Sequence, residues 1–167
     1  MRKIFVKKDL NIPEEQEFKN YKLKKLTVEY VEKDYKAVMS SKKHLRTIFS
    51  SNDSWPKDDM TIEENYNDLK EHQEEFDSKI AFTYTVLSLD ESECLGCVYI
   101  YPPVRDKTDA RVYLWATQEK LEEGFEEVML NDIENWLKNY WQMKNIDFPG
   151  RKVSWEDWRK IISEFNK

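Results

Sequence analysis

Three glycines, two cysteines and two histidines are all that this chain of 167 residues holds of those types. Each scarcity removes a class of chemistry. None of the glycines (Gly96, Gly124 and Gly150) flanks a serine as a nucleophile elbow requires, so Ser/His/Asp hydrolysis has no local support. Two cysteines build no disulfide framework, and their number suits a reducing cytoplasm, the expected compartment. Cys94 and Cys97 spell C-x-x-C, but a redox-active pair belongs at a helix N-terminus, where the dipole lowers the first thiol's pKa. Here the pair lies in a β-rich stretch, where residues three apart face opposite sides of a strand. Two ordinary strand thiols are expected, with Gly96 marking a bulge or a close backbone approach. A zinc site would need more ligands than His44 and His72 supply, so no metal is expected. Neither histidine has a partner pattern around it, and both read as surface or cap residues.

Long apolar runs are also missing. The opening Ile4-Phe5-Val6 falls short of the roughly 7–15 residues of a signal-peptide core. Nothing approaches the ~20 apolar residues of a membrane span. No export route and no membrane partner are expected. Positive charge is in deficit, with a net charge of -6 and a sequence pI near 5.2. The overall field therefore opposes a nucleic-acid partner. Lys7, Lys8, Lys22, Lys24 and Lys25 alternate with or adjoin apolar residues and read as solvated edges.

What the chain does have is apolar and aromatic material. Its hydrophobic fraction of 40% and its six tryptophans supply enough surface to offset the ordering entropy, and the length suits one domain with one core. Residues 1–20 read as an extended N-terminal arm, and residues 21–167 as a single domain. Lys22–Leu26 can form a strand, with Thr27 placed to cap the helix behind it. Val28, Val31, Tyr35, Val38 and Met39 then fall on one helical face. A polar loop carrying Trp55 follows. Thr61-Ile62-Glu63-Glu64 has the form of a capping box for a second helix.

From Ile80 the character changes. Ala81–Leu87, Cys94–Tyr101 and Ala110–Ala116 are β-branched and aromatic, and short polar connections make them an antiparallel meander. Tyr113 and Trp115 alternate with Val112, Leu114 and Ala116, as in a central strand covered on both faces. A long helix from about Glu122 to Tyr140 follows, and its Phe125, Val128, Ile133 and Trp136 are expected to pack on the sheet. A short strand near Asn145–Phe148 and a last helix capped by Ser154 complete the order. The third strand runs into a glycine-containing turn ahead of the long helix, an arrangement that aims backbone N–H groups at an anion.

This element order resembles the GNAT superfamily of N-acetyltransferases, and it carries most of the resemblance over residues 21–158. Leu95-Gly96-Cys97-Val98-Tyr99-Ile100 and Phe148-Pro149-Gly150-Arg151 are similar to segments of acetyltransferase-like bacterial proteins. The resemblance implies an α+β fold, a mixed, mostly antiparallel sheet flanked by helices. It also implies acyl-CoA-dependent acetyl transfer to an amine, small or peptidic, with acetyl-CoA as cosubstrate. In such proteins the strand equivalent to Ala110–Thr117 splays from its neighbour and hydrogen-bonds the pantetheine, while the next loop binds the pyrophosphate through its amides. The implied cofactor residues are Leu114, Trp115, Ala116, Thr117, Leu121, Glu123, Gly124 and Phe125. No catalytic acid or base is assigned.

The loop departs from the family's Gln/Arg-x-x-Gly-x-Gly/Ala pattern in every register, and Glu119, Glu122 and Glu123 oppose a phosphate. A GNAT-like binding or interaction module without turnover therefore stands as the alternative. The helices of the first half and the Trp55 loop are expected to flank the acceptor side. The aromatic faces also leave room for a second copy in a homodimer.

Overall fold

The strands stand in the sheet in the order in which the chain makes them. The computed structural model describes residues 5–166. It contains a six-stranded sheet of β1 (Glu15–Glu17), β2 (Lys22–Lys25), β3 (Phe82–Leu87), β4 (Cys94–Tyr101), β5 (Ala110–Ala116) and β6 (Ile146–Asp147). The first five pair antiparallel, and β6 runs parallel to β5. The helices are α1 (Val31–Met39), α2 (Lys42–Leu45), α3 (Ile62–Asp77), α4 (Gln118–Leu121), α5 (Phe125–Asn139) and α6 (Trp155–Phe165). This is the mixed, mostly antiparallel α+β architecture expected from the sequence.

Strand alternation sorts the core onto two faces. Val112, Leu114 and Ala116 join Met129, Ile133, Trp136 and Leu137 of α5. Tyr113 and Trp115 join Val38 of α1, Leu69 of α3 and Leu45 of α2. The N-terminal arm supplies β1 and lays Phe5, Leu10, Ile12 and Phe18 against the α5 side. Tyr84 and Tyr140 donate their hydroxyls to Pro13 and Asn11 carbonyls, which holds the arm in place. The Thr61–Glu64 capping box forms with both of its bonds, and Ser154 caps α6 by accepting from the Asp157 amide.

Four expectations need correction. Cys94 and Cys97 lie on the same face, not on opposite ones. Opposite Val86 and Leu87 stand Gly96 and Cys94, so Leu95 is an extra residue in the ladder. Such a bulge resets the alternation on which the opposite-face rule depends. Both thiols are free, and burial pushes Cys94 up to about 12 and Cys97 higher than a usual thiol. Gly96 itself sits where a Cβ would run into the Trp115 carbonyl, the close approach its position implied.

The expected long helix forms as α5, starting three residues later than about Glu122, but one residue of its expected core face is misplaced. Gly124 takes φ 74°, and the helix starts at Phe125. Val128 is 51% exposed, because Met129, Ile133, Trp136 and Leu137 form the buried stripe and Val128 falls beside it. Thr27 caps no helix through its side chain: its hydroxyl turns to the Glu29 carboxylate, and a single 3₁₀ turn separates it from α1. The fourth correction concerns His44 and His72, both of which are engaged inside the fold rather than left at the surface.

Candidate functional site

β5 and β6 pair over two residues only, Ala110 with Ile146 and Arg111 with Asp147, and then part. The parting leaves the far half of β5 with an edge that β6 does not cover. After Phe148 and Pro149 the chain turns at Gly150, φ 79°, with the Trp155 ring filling the space where a Cβ would stand. The turn sends Arg151 back to β5. Its guanidinium donates to the Leu114 carbonyl at 2.8 Å and pairs with Glu126.

Glu126, in the first turn of α5 and 7% exposed, is the centre of this network. Its Oε2 accepts from the Ala116 amide at 2.9 Å and from His44 Nε2 at 2.7 Å; a carboxylate only accepts, so the imidazole nitrogen donates. Burial opposes the charge on Glu126. His44, Arg151 and the Ala116 amide outweigh burial and hold the carboxyl below its ordinary value. Three separate elements, α2, α5 and the turn after β6, thus meet on the free edge of β5. The cavity left beside His44, Glu126, Arg151 and Trp155 measures about 120 Å³.

The sequence-implied residues are only partly assembled. Leu114 and Ala116 offer their backbone to this edge, while Trp115 points to the other face and donates its indole to the Tyr99 hydroxyl at 3.0 Å. The Thr117 amide bonds the Leu95 carbonyl. In the loop, the amides of Leu121, Glu123 and Gly124 bond the carbonyls of Thr117, Lys120 and Leu121 at 2.8, 3.1 and 3.1 Å. Phe125 sets its ring edge-to-face against Tyr21. Lys120, the loop's cation, is paired with Glu123 at 3.1 Å.

The resemblance would turn the Leu114 carbonyl and the Ala116 amide toward a pantetheine and the loop amides toward a pyrophosphate. The Leu114 carbonyl, the Ala116 amide and the amides of Leu121, Glu123 and Gly124 already bond protein groups, and each nearby carboxylate opposes a phosphate by about 1 kcal/mol. As arranged, these residues do not fit coenzyme A. A cavity of about 510 Å³ does lie beside the loop, between α1 and α4, with Lys33, Lys36 and Lys120 balanced by Glu93, Glu119 and Glu122.

A third cavity, of about 390 Å³, opens on the α1–α3 side of the sheet. Tyr99 and Tyr101 of β4 floor it, and α1, α3 and the Phe49–Trp55 loop enclose it. Asp34 of α1 is buried there, 3% exposed, with the Asn65 amide on its Oδ2 at 3.0 Å. Burial pushes its carboxyl up to about 6. Burial likewise raises Asp68, which bonds the Trp55 side chain. His72 lies 3.3 Å from the Thr83 hydroxyl and 3.6 Å from Glu75.

Sequence reading missed His44, Asp34, Asp68, His72 and Glu126 as site residues, and it noted Arg151 only inside a family-like phrase. One signal was available. Asp34 lies three residues after Val31 and four before Val38, a carboxylate inside an apolar stripe. Glu126 and His44 carry no such flag, because their partnership spans 82 residues. Among the described residues, no group of three or more His, Cys, Asp or Glu is arranged to hold a metal ion, and no helix is long and apolar enough to cross a membrane.

No protein-family model and no curated protein matches the sequence. Solved structures do match in fold. Ribosomal-protein-S5-alanine acetyltransferase from Vibrio fischeri superposes with a TM-score of 0.63 at 18% identity, over 90% of this chain and 81% of that one. RimL, a ribosomal L7/L12 α-N-protein acetyltransferase solved with coenzyme A, gives 0.63 at 14% identity over 77% and 70%. The microcin C7 self-immunity acetyltransferase MccE, solved with acetyl-CoA and AMP, gives 0.58 at 15% over 74% and 63%. The likeness is one of fold: this chain has the GNAT fold.

Proposed function

We propose that this chain is an amine-recognising protein on the GNAT scaffold, with its own Arg151 and Glu126 lying where a working acetyltransferase would hold the pantetheine. One observation carries the reading. The Leu114 carbonyl and the Ala116 amide, the groups on the free edge of β5, are both bonded to side chains of the protein, Arg151 and the buried Glu126. The cavity left beside these groups measures only about 120 Å³. The carboxylate-lined cavity between α1, α3 and β4 is open, and its charge favours a cationic amine.

A second reading is acyl-CoA-dependent N-acetyl transfer to that amine. The fold likeness to acetyltransferases solved with coenzyme A or acetyl-CoA favours it, as does the larger cavity beside the α4 loop. In this reading Arg151 swings away, and the backbone of Leu114, Trp115, Ala116, Thr117, Leu121, Glu123, Gly124 and Phe125 meets the cofactor.

Calorimetry with acetyl-CoA and with free CoA separates the two. The closed-edge reading expects no binding to the wild type at millimolar ligand. Micromolar binding, together with acetylation of any amine in a panel, would install the transferase reading in its place. Arg151→Ala is the informative variant: acetyl-CoA binding to it alone would identify the guanidinium as the block.

A further inference from the structure

The cavity over Tyr99 and Tyr101 gathers acidic side chains. Four carboxylates line it, Asp34 from α1 and Asp68, Glu71 and Glu75 from α3, and among the described residues no lysine or arginine does. Asp34 is the deepest, and its single hydrogen bond comes from a neutral amide. Glu75 has His72 beside it, and Asp68 is tied to Trp55. Asp34 is buried and Asp68 half-buried; carboxylates that lose hydration side by side repel one another, a cost that a cation between them removes.

The rest of the wall is aromatic. Phe49 packs edge-on to Tyr99 and to Trp55, with ring centroids 5.0 and 5.9 Å away. Tyr101 already seats one cation on its ring, the Arg111 guanidinium, at 5.3 Å. Aromatic faces attract cations by roughly 0.5–2 kcal/mol each and offer nothing to a bare metal ion that prefers oxygen or nitrogen ligands. A volume of about 390 Å³ also exceeds what a lone ion fills.

Building on the reading of the chain as an amine-recognising protein, we propose that this cavity binds a small organic ammonium ion, with its charge held by Asp34 and Asp68 and its alkyl groups against Trp55, Tyr99 and Tyr101. Charge and apolar surface make the site, and an N–H is not required. A quaternary ammonium therefore binds as a primary one does, although its nitrogen has no lone pair and accepts no acyl group. This sets the site apart from a mere acceptor subsite.

The test is calorimetry on the full chain at pH 8, with tetramethylammonium, n-butylammonium and uncharged n-butanol as probes. Both cations are expected to bind and the alcohol is not. Asp34→Asn and Asp68→Asn should each weaken the cations about tenfold, or ~1.4 kcal/mol. Trp55→Phe should remove most of the fluorescence change that accompanies binding. Circular dichroism checks each variant, and if Asp34→Asn does not fold, Asp68→Asn and Trp55→Phe still decide. The proposal is overturned if neither cation binds, if the alcohol binds as well as they do, or if the folded variants bind like the wild type. Acetyl-CoA titrated alongside keeps the two readings apart. Its binding to the wild type would remove the closed edge and leave an observed ammonium site standing, whereas ammonium silence without acetyl-CoA binding removes only the ammonium site.

Discussion

The free edge of β5 and the cavity over Tyr99 are built from similar parts. Each holds a buried carboxylate, Glu126 or Asp34, with a histidine and a tryptophan nearby. They differ in how many donors reach the carboxylate. Glu126 receives an imidazole, a guanidinium and a backbone amide, and its carboxyl sits below the ordinary range. Asp34 receives one side-chain amide, and its carboxyl is pushed up to about 6. Burial acts on both in the same direction, so the partners decide the outcome. A fully bonded carboxylate seals the place it occupies. One that is buried and under-bonded leaves charge for something else to meet.

The largest way to break the comparison is to unseat Arg151. Arg151→Ala leaves Glu126 buried without its guanidinium and the Leu114 carbonyl without a donor, and should cost about 3–4 kcal/mol in urea unfolding. Arg151→Leu combined with Glu126→Leu should recover much of that loss, since a buried ion pair is often replaced by apolar groups at little net cost. If the double variant is as unstable as the single one, packing rather than charge holds the edge.

Next comes the pH dependence at Asp34. A carboxyl raised on folding binds its proton more tightly in the folded state. Its contribution is fully present below the unfolded value of 3.8 and is lost as pH rises through about 6. Asp34→Asn should remove that dependence. The stability difference, variant minus wild type, should therefore grow by roughly 3 kcal/mol between about pH 4 and 7. A flat difference would show that Asp34 is solvated.

Glu126 supplies the opposite slope. Its lowered carboxyl contributes stability that is present above the ordinary glutamate value and lost as pH falls through the folded one. Glu126→Gln should flatten the acid limb of the stability curve and leave the limb governed by Asp34 unchanged. Denaturant titrations at several pH values measure both slopes on the same set of proteins. The smallest effect is expected at Gly150. Alanine at φ 79° is strained, and its Cβ would press on Trp155, so a loss of about 1–2 kcal/mol is expected in thermal unfolding. The cavity over Tyr99 should not respond.

Much of the scaffold was legible in the chain. The three β-rich runs, the Thr61 capping box, the Ser154 cap and the two-faced alternation of Tyr113 and Trp115 depend on neighbours within a few residues, which the sequence shows directly. The failures were also physical. The Leu95 bulge depends on the partner strand's register, so Cys94 and Cys97 could not be placed on faces from their spacing. Val128 was misplaced because it lies at the margin of a broad apolar stripe, and only the packed sheet decides which margin is covered.

Local periodicity and capping chemistry determined that this chain makes a mostly antiparallel sheet with helices on its faces, since those signals act within one or two turns. Tertiary structure alone decided that Arg151, Glu126 and His44 would close the edge of β5 and that Asp34 would be buried under a single amide. Those contacts join residues 25 and 82 positions apart, and the energy of a charged group is set by what folding brings beside it.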